Sequence, residues 1–441
     1  MIQPWDFDVA VVGGGPAGAV AASALARNGR RILVLERERF PRFHIGESQL
    51  PWIHEVLARI GADKAIAAAG FVEKWGASFT TADSEANQYA DFSQAVEVPN
   101  PRAFQVSRAS FDQILLDHAA SCGAVVLEGR TAVEAVFDDN GVSLTYSDAG
   151  GDQTRVTVGA IIDASGRAGF LAKRFGERHK DPVLQNIAVH RQYDGVPRRE
   201  GRRAGDIQMV TRPDKGWFWF IPINETITSV GVVMPQPIYR AAAKPTPEET
   251  LSYFVGETPA AARLLTNARP VSPARFDADY SYLHSRHAGD RFVLVGDAGA
   301  FLDPIFSTGV LMAMQSAIEA SEIVEAGLRD GDLRARRFAA YERRLVRRYH
   351  HFRRFAVGFY DPAFRDLFFS PSSRFGIYEA VLSVLSGNWR PSWQTRLRLH
   401  AFFFLVALQR FLPLARRQPQ PVPLRPEAMP ESPMRVRTTR P

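Results

Sequence analysis

The sequence predicts an α/β protein: an open, largely parallel sheet flanked by helices, an inserted antiparallel sheet and a helical C-terminal region. Three observations predict it. Residues 7–36 read as strand, glycine turn, small-residue helix, second strand and acid. Residues 176–285 carry four apolar or alternating runs (QNIAVHRQY, GDIQMVTR, WFWFIPI, ITSVGVVMP) separated by turn signals. Residues 335–412 read as helical and are dense in arginine, as in RARRFAAYERRLVRRYHHFRRF. A chain of 441 residues is long enough for two or three domains and a sizeable core.

Composition narrows the function classes. With 46% hydrophobic and 23% charged residues, a wholly disordered chain, a collagen-like repeat and an extended coiled coil are excluded. Cys122 is the single cysteine, so no intramolecular disulfide and no cysteine zinc site forms, and no metal site is expected. The net charge of +7 rests on arginine, since only six of the 54 basic residues are lysines. No nucleic-acid motif accompanies that charge, so no nucleic-acid partner is expected; an anionic cofactor or an acidic protein partner accounts for it equally well. No secretory signal is read, and the longest apolar run, residues 401–408, is far short of the roughly 20 a membrane span needs. A cytoplasmic protein with no membrane contact is expected.

The N-terminal unit is the most specific signal. FDVAVV ends at Gly13-Gly14-Gly15-Pro16-Ala17-Gly18, a helix-type stretch follows, and RILVL ends in Glu36. This is the dinucleotide-binding fingerprint. Gly13 makes the tight turn, Gly15 lets backbone approach a pyrophosphate, and Gly18 packs helix on strand. Glu36 is placed for the ribose hydroxyls. Ala17 and Arg37 are counted with them as cofactor contacts.

Three later segments select the flavin. FQVSRASFDQILL (104–116) reads as a strand and an amphipathic helix, IIDASGR (161–167) as a buried strand and turn. RFVLVGDAGAFLDPIFSTGVLMAMQSA (291–317) reads as strand, Gly-Asp turn, loop and second helix. Their order resembles the glutathione-reductase-type FAD fold of aromatic hydroxylases and flavin-dependent halogenases, over roughly residues 5–325. The resemblance implies FAD, with Arg108 contacting it and Asp297 bonding the ribityl chain; a helix N-cap is the alternative role for Asp297.

Within that superfamily the halogenases match best. RFPRFHIGESQLP (39–51) is similar to their FPR-x-x-x-GES segment near the isoalloxazine, which adds Gly46, Glu47 and Ser48. GWFWFIP (216–222) contains WxWxIP, and FLDPIFSTG (301–309) contains FxxPxxSxG. By resemblance, Pro304 adjoins the flavin and the amides of Thr308 and Gly309 hold halide, as an anion nest before a helix does. Trp217, Trp219 and Phe306 are expected at the substrate pocket, with core packing the alternative for the tryptophans. Lys74, in FVEKWGA, fits the Lys-x-Gly-Ala pattern of phenol- and pyrrole-type halogenases and is the catalytic candidate, with a surface lysine as its alternative. Aligned on tryptophan halogenases the position is Thr80, and their glutamate before Ser-Thr-Gly is Phe306 here.

The resemblance leaves two reactions open at a flavin C4a-hydroperoxide. The preferred expectation is a monooxygenase hydroxylating an electron-rich aromatic ring, such as a tryptophan in a peptide or small protein during tryptophylquinone biogenesis. Halogenation of a phenol, pyrrole or indole is the alternative. No second glycine-rich nucleotide motif is present, so a separate flavin reductase or transient NAD(P)H is the electron source. The expected division is residues 1–175 and 286–334 for the two parts of the FAD-binding domain. Residues 176–285 form the substrate-covering sheet domain, 335–412 the arginine-rich helical region and 413–441 a proline- and arginine-rich tail.

Overall fold

A computed structural model describes residues 5–278, 281–371 and 374–417 of the chain. Strand β1 (Phe7–Val12), helix α1 (Pro16–Ala26) and strand β2 (Ile32–Glu36) form the first βαβ unit. Strand β3 (Val72–Lys74) and helix α2 (Arg108–Ser121) precede the long strand β4 (Gln153–Asp163). β1 lies between β2 and β4, parallel to both, and its last five residues are buried, as a strand covered on two faces requires. β2 pairs in turn with Val125–Glu128, and β4 with Phe292–Leu294, all parallel. The chain order reverses beside β1, which leaves a crevice at the carboxyl ends of β1 and β4. α2 departs from the amphipathic expectation: its buried face carries Arg108 and Asp112 beside Phe111 and Leu115.

The second sheet is antiparallel apart from one pairing. Its centre is β5 (Trp217–Pro222) against β6 (Ile227–Pro235), with Asn186–Asp194 and Ile207–Thr211 on either side. Gly76–Thr81 and Asn87–Asp91, from earlier in the chain, extend it past Ile207–Thr211. All four strands read from the sequence are present. The stretch after them is not strand: Gln236–Ala242, Pro247–Gly256 and Pro259–Leu265 are helices. The reason is tertiary. Phe218, Phe220, Val230 and Val232 make one sheet face apolar, and Leu251, Phe254 and Ala261 cover it. Trp217 and Trp219, of the opposite alternation, belong to the central core on the other face.

Helix α3 (Gly309–Asp330) packs on α1 and leads into α4 (Ala335–Phe359). The buried side of α4 reads Phe338, Tyr341, Leu345, Tyr349, Phe352, Phe355 and Phe359, a stripe at helical spacing. Its rings continue into Phe364 and into Phe402 and Phe403 of the last helix, α5 (Trp393–Gln409). Most of the α4 arginines lie outside that stripe, but Arg348 is buried in it. The predicted tail lies outside the described residues from 418 onward. Among the described residues no helix is long and apolar enough to cross a membrane, and no His/Cys/Asp/Glu group is placed to hold a metal.

Candidate functional site

A cleft of 1060 Å³ opens at the carboxyl ends of β1 and β4 and reaches the inner face of the second sheet. Gly13, Gly15, Ala17, Glu36, Arg37, Gly46, Glu47, Ser48, Arg108, Asp297, Pro304 and Gly309 line it, as do Trp217 and Trp219. Gly18, Lys74, Phe306 and Thr308 do not. The fingerprint glycines have separate tasks. A Cβ on Gly13, whose φ is +106°, would sit 2.3 Å from the Ala164 carbonyl oxygen, and one on Gly18 would sit 1.8 Å from the Gly13 carbonyl. Both positions lock the turn to its neighbours. Gly15 is different: its Cβ would meet nothing closer than Arg42 Nη2 at 3.6 Å, so the space beside it is free for a ligand. The first-turn amides of α1 face that space, as a pyrophosphate requires. The site therefore fits a dinucleotide.

Charge is arranged around this cradle. Glu36 is 5% exposed and accepts from the Gly14 amide at 2.6 Å and the Glu38 amide at 2.8 Å, which fixes it at the tip of β2. Arg108 forks onto Asp112 (2.7 and 2.8 Å) and donates to the Ile45 carbonyl at 2.5 Å. Arg42 shares Asp112 at 3.0 Å. Asp297 is pushed up to about 6 by burial, against the opposing pull of Arg108 and Arg167. The N-cap alternative for Asp297 fails, because Asp297 lies inside a short 3₁₀ turn (Gly296–Ala298) and α3 starts only at Gly309.

A small β-ladder explains how Lys74 approaches the cleft. Ser48 bridges to Gln105, and Ala103–Gln105 pairs antiparallel with β3, which sets Lys74 opposite Ala103. Lys74 is thereby drawn inward to 1% exposure, and the surface-lysine alternative is excluded. Its Nζ donates to Ser48 Oγ at 2.8 Å and the Gln49 carbonyl at 2.9 Å, and lies 5.2 Å from the Phe92 ring centre. Burial lowers it to about 7, with Asp206 opposing. Asp206 anchors the next turn through the Trp75 and Gly76 amides at 2.6 and 2.9 Å. Thr80 sits further along the neighbouring strand and donates to Asn87 at 2.8 Å. Glu47, 3% exposed, is pushed by burial up to about 7, with Ser229 and Arg108 opposing.

The loop at 301–309 is held from behind. Asp303 accepts from Asn186 Nδ2 at 2.7 Å and from the Tyr360 hydroxyl at 3.1 Å, and Trp217 Nε1 donates to that same hydroxyl at 2.9 Å. Ser307 takes a left-handed φ of +57° to turn the chain into α3. Thr308 is buried, its Oγ1 without a partner among the described residues. Phe306, expected at the substrate pocket, packs edge-on against Phe359 at 5.6 Å and stands away from the cleft lining. Trp219 Nε1 donates to Ser229 at 3.2 Å. The cleft also uses residues the motifs did not flag: Phe43, stacked under Arg275 at 4.3 Å, and Arg167, which bonds Asp277 at 3.0 Å. Arg167 closes the quoted IIDASGR run and was legible there; Phe43 and Arg275 meet only through the fold.

Comparison with known proteins gives a consistent family signal. A family model described as tryptophan halogenase matches residues 8–102 and 85–369. A 1H-pyrrole-2-carbonyl-[peptidyl-carrier protein] chlorinase of Pseudomonas fluorescens is 37% identical, over 76% of this chain and 80% of its own. Among solved structures, a flavoprotein/dehydrogenase of Cytophaga hutchinsonii is 28% identical with a TM-score of 0.85, covering 92% of this chain and 98% of that one. The myxobacterial chondrochloren halogenase, an FAD-dependent enzyme, is 31% identical with a TM-score of 0.76, covering 90% and 97%.

Proposed function

Because the chain belongs to the tryptophan halogenase family and is a halogenase-like FAD enzyme, we propose that it halogenates an electron-rich aromatic or pyrrole ring. Hydroxylation, the reaction preferred from sequence, gains no support, and neither does a tryptophan in a protein substrate. The chlorinase and the halogenase among the relatives favour the alternative. The ring is free or tethered to a carrier protein, the latter being the form on which the Pseudomonas relative acts. A separate reductase supplies reduced flavin.

FAD, held at the Gly13–Gly18 turn, Glu36, Arg108 and Asp297, supplies with oxygen the oxidising equivalent that converts halide to hypohalous acid. The residues of this chain do the rest. The first-turn amides of α3 at Thr308–Gly309 hold halide. Lys74 supports this reading most directly. Lys74 stands behind Ser48, which lines the cleft, and below about pH 7 its amine is an ammonium with three donors; Ser48 and Gln49 take two at 2.8 and 2.9 Å, which leaves the third for the oxygen of hypohalous acid. That hydrogen bond draws electrons from the O–X bond. The ring takes X, its displaced proton joins the departing hydroxide, and water leaves. Enclosure by Phe92 and the β-ladder keeps bulk water from the amine and limits loss of the oxidant.

Lys74→Ala separates the steps. Given reduced FAD, oxygen and bromide, the variant should reoxidise flavin at the wild-type rate and lose at least about 100-fold in brominated product, the lower end of the range for a positioned proton donor. Product at the wild-type rate would sink the assignment.

A further inference from the structure

The arginine-rich stretch singled out in the sequence walls a second cavity, of 510 Å³, between α4 and the start of α5. Arg344, Arg347, His351, Trp389, Arg390 and Arg396 line it. Its charge is poorly neutralised. Glu319 of α3 accepts from Arg348 at 2.6 Å, Arg390 at 3.0 Å and Arg344 at 3.4 Å, one carboxylate shared among three guanidinium groups. Arg347 and Arg396 make no ion pair among the described residues. Glu97 lies near the start of α5, but it is occupied by the Ser392 amide (3.0 Å), Asn388 (3.1 Å) and Thr395 (2.7 Å). Burial lowers His351 to about 4, so it adds a neutral ring rather than charge.

The cavity is also built rather than merely exposed. Arg348 is 1% exposed and lies 4.3 Å from the Trp389 ring centre; Arg390 lies 4.2 Å from it. Two guanidinium groups on one indole fix that wall. Like-charged side chains gathered around one space repel each other, and an anion with several oxygens relieves that while matching the planar forks of arginine. We propose that this cavity is a phosphate-ester site, with Arg344, Arg347, Arg390 and Arg396 as ligands and Trp389 as its wall. The same chemistry is offered by a free phosphorylated metabolite and by the phosphopantetheine arm of a carrier protein. The segment leading into Trp389 is tied to the stretch that follows the cleft-lining residues Gly46–Ser48, the Ser386 carbonyl accepting from the Trp52 amide at 3.3 Å.

The test is calorimetric titration of the full chain loaded with FAD, so that the dinucleotide cradle is already filled. The probes are 4′-phosphopantetheine, pantetheine without its phosphate, and inorganic pyrophosphate. Phosphopantetheine should bind at least tenfold more tightly than pantetheine and more weakly as salt rises. The exposed pair Arg347→Glu, Arg396→Glu should cost at least tenfold while FAD content stays unchanged. Pyrophosphate binding as tightly as phosphopantetheine assigns the site to free phosphates; a tenfold advantage for phosphopantetheine assigns it to a carrier's arm. Failure of every phosphate to bind, or binding undiminished by the double substitution, overturns the proposal. No halogenation assay enters, so its failure is distinct from failure of the proposed reaction.

Discussion

At the scale of the residue, the site is defined by ionisable groups taken out of water. Lys74 and Glu47 flank Ser48, and burial brings both to about 7 from opposite directions. Glu47 makes that cost measurable. Its carboxyl rises from 4.5 to about 7, so between those values the folded chain keeps a proton that the unfolded chain releases. Its stabilising share is therefore intact below pH 4.5 and is lost as the pH climbs through 7. At about 1.4 kcal/mol per unit this amounts to about 3 kcal/mol. Glu47→Gln keeps the shape and removes the charge. Denaturant unfolding of flavin-free protein should show the variant gaining up to about 3 kcal/mol on the wild type between pH 5 and pH 8. Parallel pH profiles would remove the buried-charge explanation.

At the scale of the element, the fingerprint turn was legible because its logic is local. Gly13 and Gly18 are held by contacts within β1, α1 and the neighbouring β4 turn, and the spacing alone reports them. The structure refines their use as probes. Substituting Gly13 or Gly18 forces a Cβ into backbone, so such variants report folding as much as binding. Gly15→Val is cleaner: the branch enters open space, and the variant should unfold within about 1 kcal/mol of wild type yet purify without flavin colour. A yellow, fully loaded Gly15→Val protein contradicts the placement of the pyrophosphate. Elsewhere local signals fell short. The pattern of α2 does not show that its buried face is partly charged, because Arg108 and Asp112 satisfy one another inside the protein. The helices at 236–265 answer an apolar face that exists only once the preceding strands have paired into a sheet, and Phe306 packs on Phe359 of the helical region. Lys74 could be named from its motif, but its burial follows from a ladder through residues 48 and 103–105.

At the scale of the whole molecule, Tyr360 joins the parts. It caps the end of α4, and its hydroxyl meets Trp217 and Asn186 of two strands of the second sheet and Asp303 of the loop before α3. Four segments converge on one oxygen. Tyr360→Phe leaves those buried groups without their common partner and should cost about 1–3 kcal/mol in denaturant unfolding. It should also slow product formation through the 301–309 loop; unchanged stability and rate would show that the loop is held by other contacts. The reaction itself is tested most directly by the mass of the product. Reduced FAD, oxygen and a panel of pyrrole and phenol substrates, free and carrier-tethered, are incubated with wild-type enzyme with and without bromide. The proposed function predicts a bromide-dependent product bearing the two-line isotope pattern of a single bromine. A product that gains only oxygen, formed equally without halide, contradicts it and restores the hydroxylase.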